Sequence, residues 1–112
     1  MPVGGTGRRY LAFSLEGGYA YSEQEVSDAL YQSIQGLFGD YGVSALRPRL
    51  IEFDEETCKG IVRCNRSHMR EMRAALALIT EISDREAAVR VMGASGTIKS
   101  LKASISRLNL KI

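Results

Sequence analysis

The chain has 112 residues and a mass of 12.3 kDa, enough for one domain and too little for two. Apolar residues make up 45% and aromatics 7%, with no Trp, which excludes general disorder and calls for an aliphatic core. A net charge of +2 excludes a histone-like polycation and an acidic solvating tail, though a sum hides a distribution.

Residues 1–7, with three glycines, read as a flexible lead-in to a single domain over 8–112. Arg9–Leu15 alternates as a strand, with Leu11, Phe13 and Leu15 on one face and Tyr10, Ala12 and Ser14 on the other. After Gly17-Gly18, Ser22 and Glu25 form a capping box. Val26, Leu30, Ile34, Leu37 and Phe38 then follow at helical spacing, and Gly39 supplies a left-handed stop. Leu46–Phe53 and Cys58–Cys64 are predicted as an antiparallel hairpin around the polar turn Asp54–Thr57. Pro48 demotes its end of the first strand to an edge or bulge. Ser67 is expected to cap a helix reaching about Ile82, with Met69, Met72, Leu76 and Ile79 as its core stripe. Ala87–Met92 is predicted as the fourth strand. Ser95 or Thr97 would cap a last helix carrying Ile98, Leu101, Ile105 and Leu108.

The order β-α-β-β-α-β plus a helix predicts an α+β, ferredoxin-like sandwich: a four-stranded antiparallel sheet, two helices on one face and a C-terminal helix. The second face is then open unless the terminal helix or a partner covers it. RNA-recognition domains and metabolite-sensing modules share this architecture, so fold alone leaves function undecided.

Charge is distributed unevenly. Residues 1–56 carry 4 Lys and Arg against 9 Asp and Glu; residues 57–112 carry 11 against 4. Eleven of the fifteen cations are Arg, whose planar fork suits phosphate. Tyr10, Lys59, Arg63 and Arg90 fall on the second sheet face, where they could stack a base and bind phosphates. Ile61 and Met92 share that face and equally suit a covering helix or partner. Arg66, Arg70 and Arg73, at i, i+4 and i+7, would extend a basic strip along the second helix. The alternative is an ordinary solvated helix face.

Ser95, Gly96 and Thr97 lie in the segment Gly93–Lys99, a glycine-bearing lead into a helix that offers backbone amides to an anion, with Lys99 and Lys102 close behind. The spacing fits neither a Walker loop nor a hydrolase elbow, and a glycine turn with an ordinary cap explains it as well. His68 is the only His. Cys58 and Cys64 have strand spacing and no second ligand pair, so neither a metal centre nor a catalytic residue set can be assembled. The longest apolar run falls far short of the roughly 18 residues that span a bilayer, and the start of the chain has no secretory h-region. No membrane association and a cytoplasmic location are expected. The sequon Asn65-Arg66-Ser67 is read as coincidence.

Six segments occur together in order: Arg9–Leu11, Leu37–Gly42, Leu50–Asp54, Gly60–Cys64, Arg73–Ile79 and Gly93–Lys99. With them, residues 8–100 resemble the archaeal ribonuclease P protein component 2 family, the counterpart of the eukaryotic Pop-type subunit. The resemblance implies a ferredoxin-like, non-catalytic RNA-binding subunit of ribonuclease P. That ribonucleoprotein endoribonuclease removes the 5′ leader from precursor tRNA by means of its RNA. It implies no cofactor on the protein, with Mg²⁺ at the RNA subunit. The implied partners are ribonuclease P RNA, precursor tRNA and ribonuclease P protein component 3, in a heterodimer or heterotetramer. Two other readings stand beside it: a small-molecule-sensing regulatory module using the Gly93–Thr97 turn, and a protein–protein adaptor.

Overall fold

A computed structural model of the chain describes residues 7–107. Residues 1–6 of the expected 1–7 lead-in and the core position assigned to Leu108 lie outside the described residues. In chain order the elements are β1 (Arg8–Glu16), α1 (Glu23–Leu46), β2 (Arg49–Asp54), β3 (Lys59–Asn65), a 3-10 turn (Arg66–His68), α2 (Met69–Ala77), β4 (Glu81–Ile82), β5 (Arg85–Glu86), β6 (Ala88–Ser95) and α3 (Ile98–Arg107). The main sheet is antiparallel in the order β2-β3-β1-β6, which is the ferredoxin-like order.

The capping box forms as expected. Ser22 Oγ accepts from the Glu25 N–H at 3.1 Å, and the Glu25 carboxylate accepts from the Ser22 N–H at 2.9 Å. Gly39 does break α1, at φ 72 and ψ −171, a conformation open essentially to Gly alone. It does not stop the helix, which resumes and ends at Leu46, with Arg47 as a left-handed cap. Leu46 is therefore a buried helix residue, and β2 starts after Pro48, as the edge strand that Pro48 suggested. Cys58 belongs to the β2–β3 turn at φ 59 rather than to β3.

The second helix is much shorter than its apolar stripe. α2 ends at Ala77, and residues 81–86 form a small hairpin turned by Ser83 and Asp84, both at positive φ. Met72, Leu76 and Ile79 are buried as expected, but Ile79 reaches the core from beyond the helix end and Ile82 from a short strand. A period of three or four apolar residues does not distinguish these routes once the run leaves the helix.

Two cores flank the sheet. The larger packs Leu11, Phe13, Val62 and Cys64 of the sheet against Val26, Leu30 and Ile34 of α1 and Met72 and Leu76 of α2. The smaller packs Ala12 and Ile61 against Leu101 and Ile105 of α3, with Tyr10, Ile51, Met92 and Ile98 around them. The second sheet face is thus covered by the terminal helix, which buries Ile61 completely. Bulges in β2 and β6 serve this contact. Glu52 pairs with Ile61 although Leu50 pairs with Val62, leaving Ile51 as the extra residue. Ile51 packs in the second core while Glu52 meets Lys102 of α3 at 3.1 Å.

Candidate nucleic-acid interface

Strand polarity decides where the charges go. In this sheet the start of β1, the end of β3, the start of β2 and the end of β6 lie at one end, as the pairs Arg8–Asn65, Arg49–Arg63 and Tyr10–Ser95 record. Arg8 and Arg9 open β1, Arg49 opens β2 behind Arg47, Arg63 closes β3 ahead of Arg66, and Lys99 lies in the first turn of α3. None of these seven cations has an ion pair among the described residues. Arg49 and Arg63 stand directly opposite each other, an arrangement of like charges that costs stability unless an anion lies between them. Arg9 Nη1 lies 2.9 Å from the point where a Cβ on Gly96 would be, just before the N-terminus of α3. That helix carries no acid in its first turn, so its positive dipole end adds to the field. The backbone of Arg66 joins the same end by donating to the Gly7 carbonyl at 2.9 Å.

The opposite end is acidic. Glu16 closes β1, and Asp54, Glu55 and Glu56 form the β2–β3 turn region. The turn meets α1, whose Glu23 N–H donates to the Glu55 carboxylate at 3.0 Å. A cleft of about 350 Å³ near the α1 start is lined by Glu25, Asp28, Glu81 and Asp84. The Ser22 amide, then the Ser83 hydroxyl, hold the Glu25 carboxyl down at about 2, with Arg85 at 3.0 Å contributing its charge. Tyr21 donates to the Glu86 carbonyl at 2.5 Å, and burial pushes its phenol up.

The sequence-predicted residues divide between these places. Tyr10, Lys59, Ile61, Arg63, Arg90 and Met92 do share one sheet face, as alternation predicts. α3 occupies that face, however, and Tyr10 packs in its core rather than standing free. Arg63 is at the basic end; Lys59 and Arg90 are at the acidic end, about 13 Å along the strand. There both lie level with Ser14, and Arg90 pairs with Glu16 at 3.6 Å. Lys102 is engaged by Glu52. Arg70 and Arg73 are exposed on α2, but Arg66 sits in the 3-10 turn, so the helical strip does not extend to it. Ser95 ends β6, and the Thr97 hydroxyl accepts from the Ser100 N–H at 3.1 Å as an N-cap. Of the glycine-bearing lead, only Gly96 and Thr97 lie outside regular elements. Arg8, Arg9, Arg47 and Arg49 were missed because they fall in the acidic half of the sequence. The signal for them was strand direction, since an antiparallel sheet brings the starts of β1 and β2 to the end of β3.

Cys58 lies in the turn just before β3 and Cys64 near its end, and the described residues hold no cluster of three His, Cys, Asp or Glu that could bind a metal ion. Among the described residues, no helix is long and apolar enough to cross a membrane.

The model of the Rpp14/Pop5 family matches residues 9–106. The chain belongs to the Rpp14/Pop5 family. The chain is 43% identical over 94 residues to "Ribonuclease P protein component 2" of Thermococcus gammatolerans, covering 84% of this chain and 78% of the relative. The protein of the same description from Pyrococcus furiosus is 36% identical over 95 residues, covering 85% and 79%. That from Methanosarcina acetivorans is 35% identical over 99 residues, covering 88% and 74%. A chain in the cryo-EM structure of yeast ribonuclease MRP superposes with a TM-score of 0.69 over 92% of both chains, at 10% identity, and so shares the fold. Family membership and these relatives make the chain a ribonuclease P protein subunit of tRNA processing.

Proposed function

We propose that this Rpp14/Pop5 member is a non-catalytic subunit that binds ribonuclease P RNA and helps it remove the 5′ leader from precursor tRNA. One observation carries this reading: seven cations without acidic partners among the described residues gather at one end of the sheet. Such a field attracts phosphate and lowers the repulsion between catalytic RNA, substrate and metal. Mg²⁺ belongs at the RNA, which carries the chemistry. Arg66, Arg70, Arg73 and Lys99 are the sequence-predicted cations that are exposed and without an ion pair among the described residues, and the half-buried Arg63 stands beside them. A component-3-type protein is the expected partner, in a heterodimer or heterotetramer, and the cytoplasm the expected compartment.

Reconstitution tests the reading. A ribonuclease P RNA is assembled with a component 3 protein, with and without this chain, and leader cleavage is measured at limiting Mg²⁺. The chain raises the rate or lowers the Mg²⁺ requirement. No change in either would refute the proposal.

A further inference from the structure

We infer that the protein docks on RNA end-on, with the strand-end surface of Arg8, Arg9, Arg49, Arg63, Arg66 and Lys99 against the phosphates and the α3-covered middle of the sheet face turned aside. The inference rests on the ribonuclease P reading and names the surface that reading uses.

Three independent features lead to it. First, the sheet face cannot serve as a stacking platform, because Leu101 and Ile105 of α3 sit on Ala12 and Ile61 and draw Tyr10 into their core. Ile61 and Leu101 are both 0% exposed. Single-stranded bases need open aromatic faces, and this face offers none. Second, the charges are polarised along the strands. Arg85 and Arg90 are matched with Glu25 and Glu16 towards the acidic end, and Lys102 with Glu52 mid-sheet. The six basic-end cations have no ion pair among the described residues, whereas at the acidic end, of Lys59, Arg85 and Arg90, Lys59 alone has none. A phosphate backbone approaching from the acidic end meets Glu16, Asp54, Glu55 and Glu56; from the other end it meets guanidiniums. Third, Arg49 and Arg63 are cross-strand neighbours of like charge on the edge pair. A phosphate between them converts repulsion into two charge-assisted contacts. Arginine forks at fixed strand positions suit the regular phosphate spacing of structured RNA, which is read by shape and backbone.

The experiment compares two double variants of the full chain, R49A/R63A at the basic end and K59A/R90A at the acidic end. Each is titrated against a ribonuclease P RNA transcript over a range of salt. Circular dichroism melts verify that each variant is folded, and R49K/R63K keeps the charge while removing the fork. Each duplex phosphate contact contributes about 0.9 to the slope of log affinity against log salt. R49A/R63A therefore flattens the slope by about 2 and weakens binding roughly 30-fold at 0.15 M salt. K59A/R90A leaves the slope unchanged, and R49K/R63K recovers most of it. If the wild-type chain binds and R49A/R63A keeps its slope, or K59A/R90A takes the loss instead, the end-on geometry is overturned and the ribonuclease P reading survives. If the wild-type chain neither binds the RNA nor affects cleavage, both fall together.

Discussion

The rings of Phe13 and Phe53 stack across an intervening strand, their centroids 6.2 Å apart and their planes 13° from parallel. Phe13 of β1 and Phe53 of β2 both pair with Gly60 of β3, so the two rings close over a position with no side chain. A Cβ on Gly60 would lie 2.7 Å from the Glu52 carbonyl and 2.8 Å from Phe13 Cζ. Here glycine serves close approach, not an unusual backbone angle.

Gly60→Ala is therefore expected to destabilise the fold by about 1–3 kcal/mol, because a backbone carbonyl and a buried ring must both move. Phe13→Ala, which empties a fully buried site, costs about 3–5 kcal/mol. Urea unfolding gives both values; a neutral Gly60→Ala would show that the edge strand yields freely.

Ser22→Ala removes the hydroxyl acceptor of the α1 capping box and should cost about 1 kcal/mol. Ser22→Asp keeps an acceptor and should retain most of it. Thermal melts of the two variants make the comparison.

The Glu25 carboxyl titrates at about 2 in the fold, against 4.5 ordinarily. A lowered carboxylate favours the folded state above its unfolded pKa, and that contribution is lost as pH falls through the folded pKa. Melting temperature should therefore decline between about pH 4.5 and 2 as the Ser22, Ser83 and Arg85 contacts go. Glu25→Gln lowers stability at neutral pH and flattens this acid limb. An unchanged acid limb in Glu25→Gln would assign the decline to other carboxylates.

Leu101→Ala opens a cavity between α3 and the sheet and is expected to cost about 3 kcal/mol. Loosening α3 uncovers Ile61 and Met92, so the variant should also bind a hydrophobic dye more strongly than the parent chain.

Burial pushes the Cys64 thiol up to about 11, aided by the nearby Glu71 charge, and its Sγ donates to Met69 Sδ at 3.6 Å. The thiolate is the reactive form, so iodoacetamide at pH 8 should label Cys58 and spare Cys64 until the chain is unfolded. Mass spectrometry of the native and urea-treated protein resolves the two sites.

Local chemistry made much of the molecule legible. The Ser22–Glu25 box, the alternation of Leu11, Phe13 and Val62 against Ala12 and Ile61, and the edge role announced by Pro48 are short-range features written in neighbouring residues. Where backbone conformation departed from the local pattern, the reading failed. The apolar stripe ran past Ala77 into a hairpin, and α1 resumed beyond Gly39. Bulges at Ile51 and Met92 shifted strand registers that strict alternation takes as constant. The candidate site was the least legible part. A count along the chain divided it into an acidic and a basic half, whereas antiparallel pairing divides it into two ends. Arg8 and Arg49, from the acidic half, join Arg63 and Arg66 because β1 and β2 start where β3 stops. By itself the sequence determined the order of the main strands and helices, the sandwich class and the family, since these depend on local periodicity and recurring segments. Only the tertiary structure decided which cations stand together and which face is closed, because strand pairing and the seat of α3 join residues far apart in the chain.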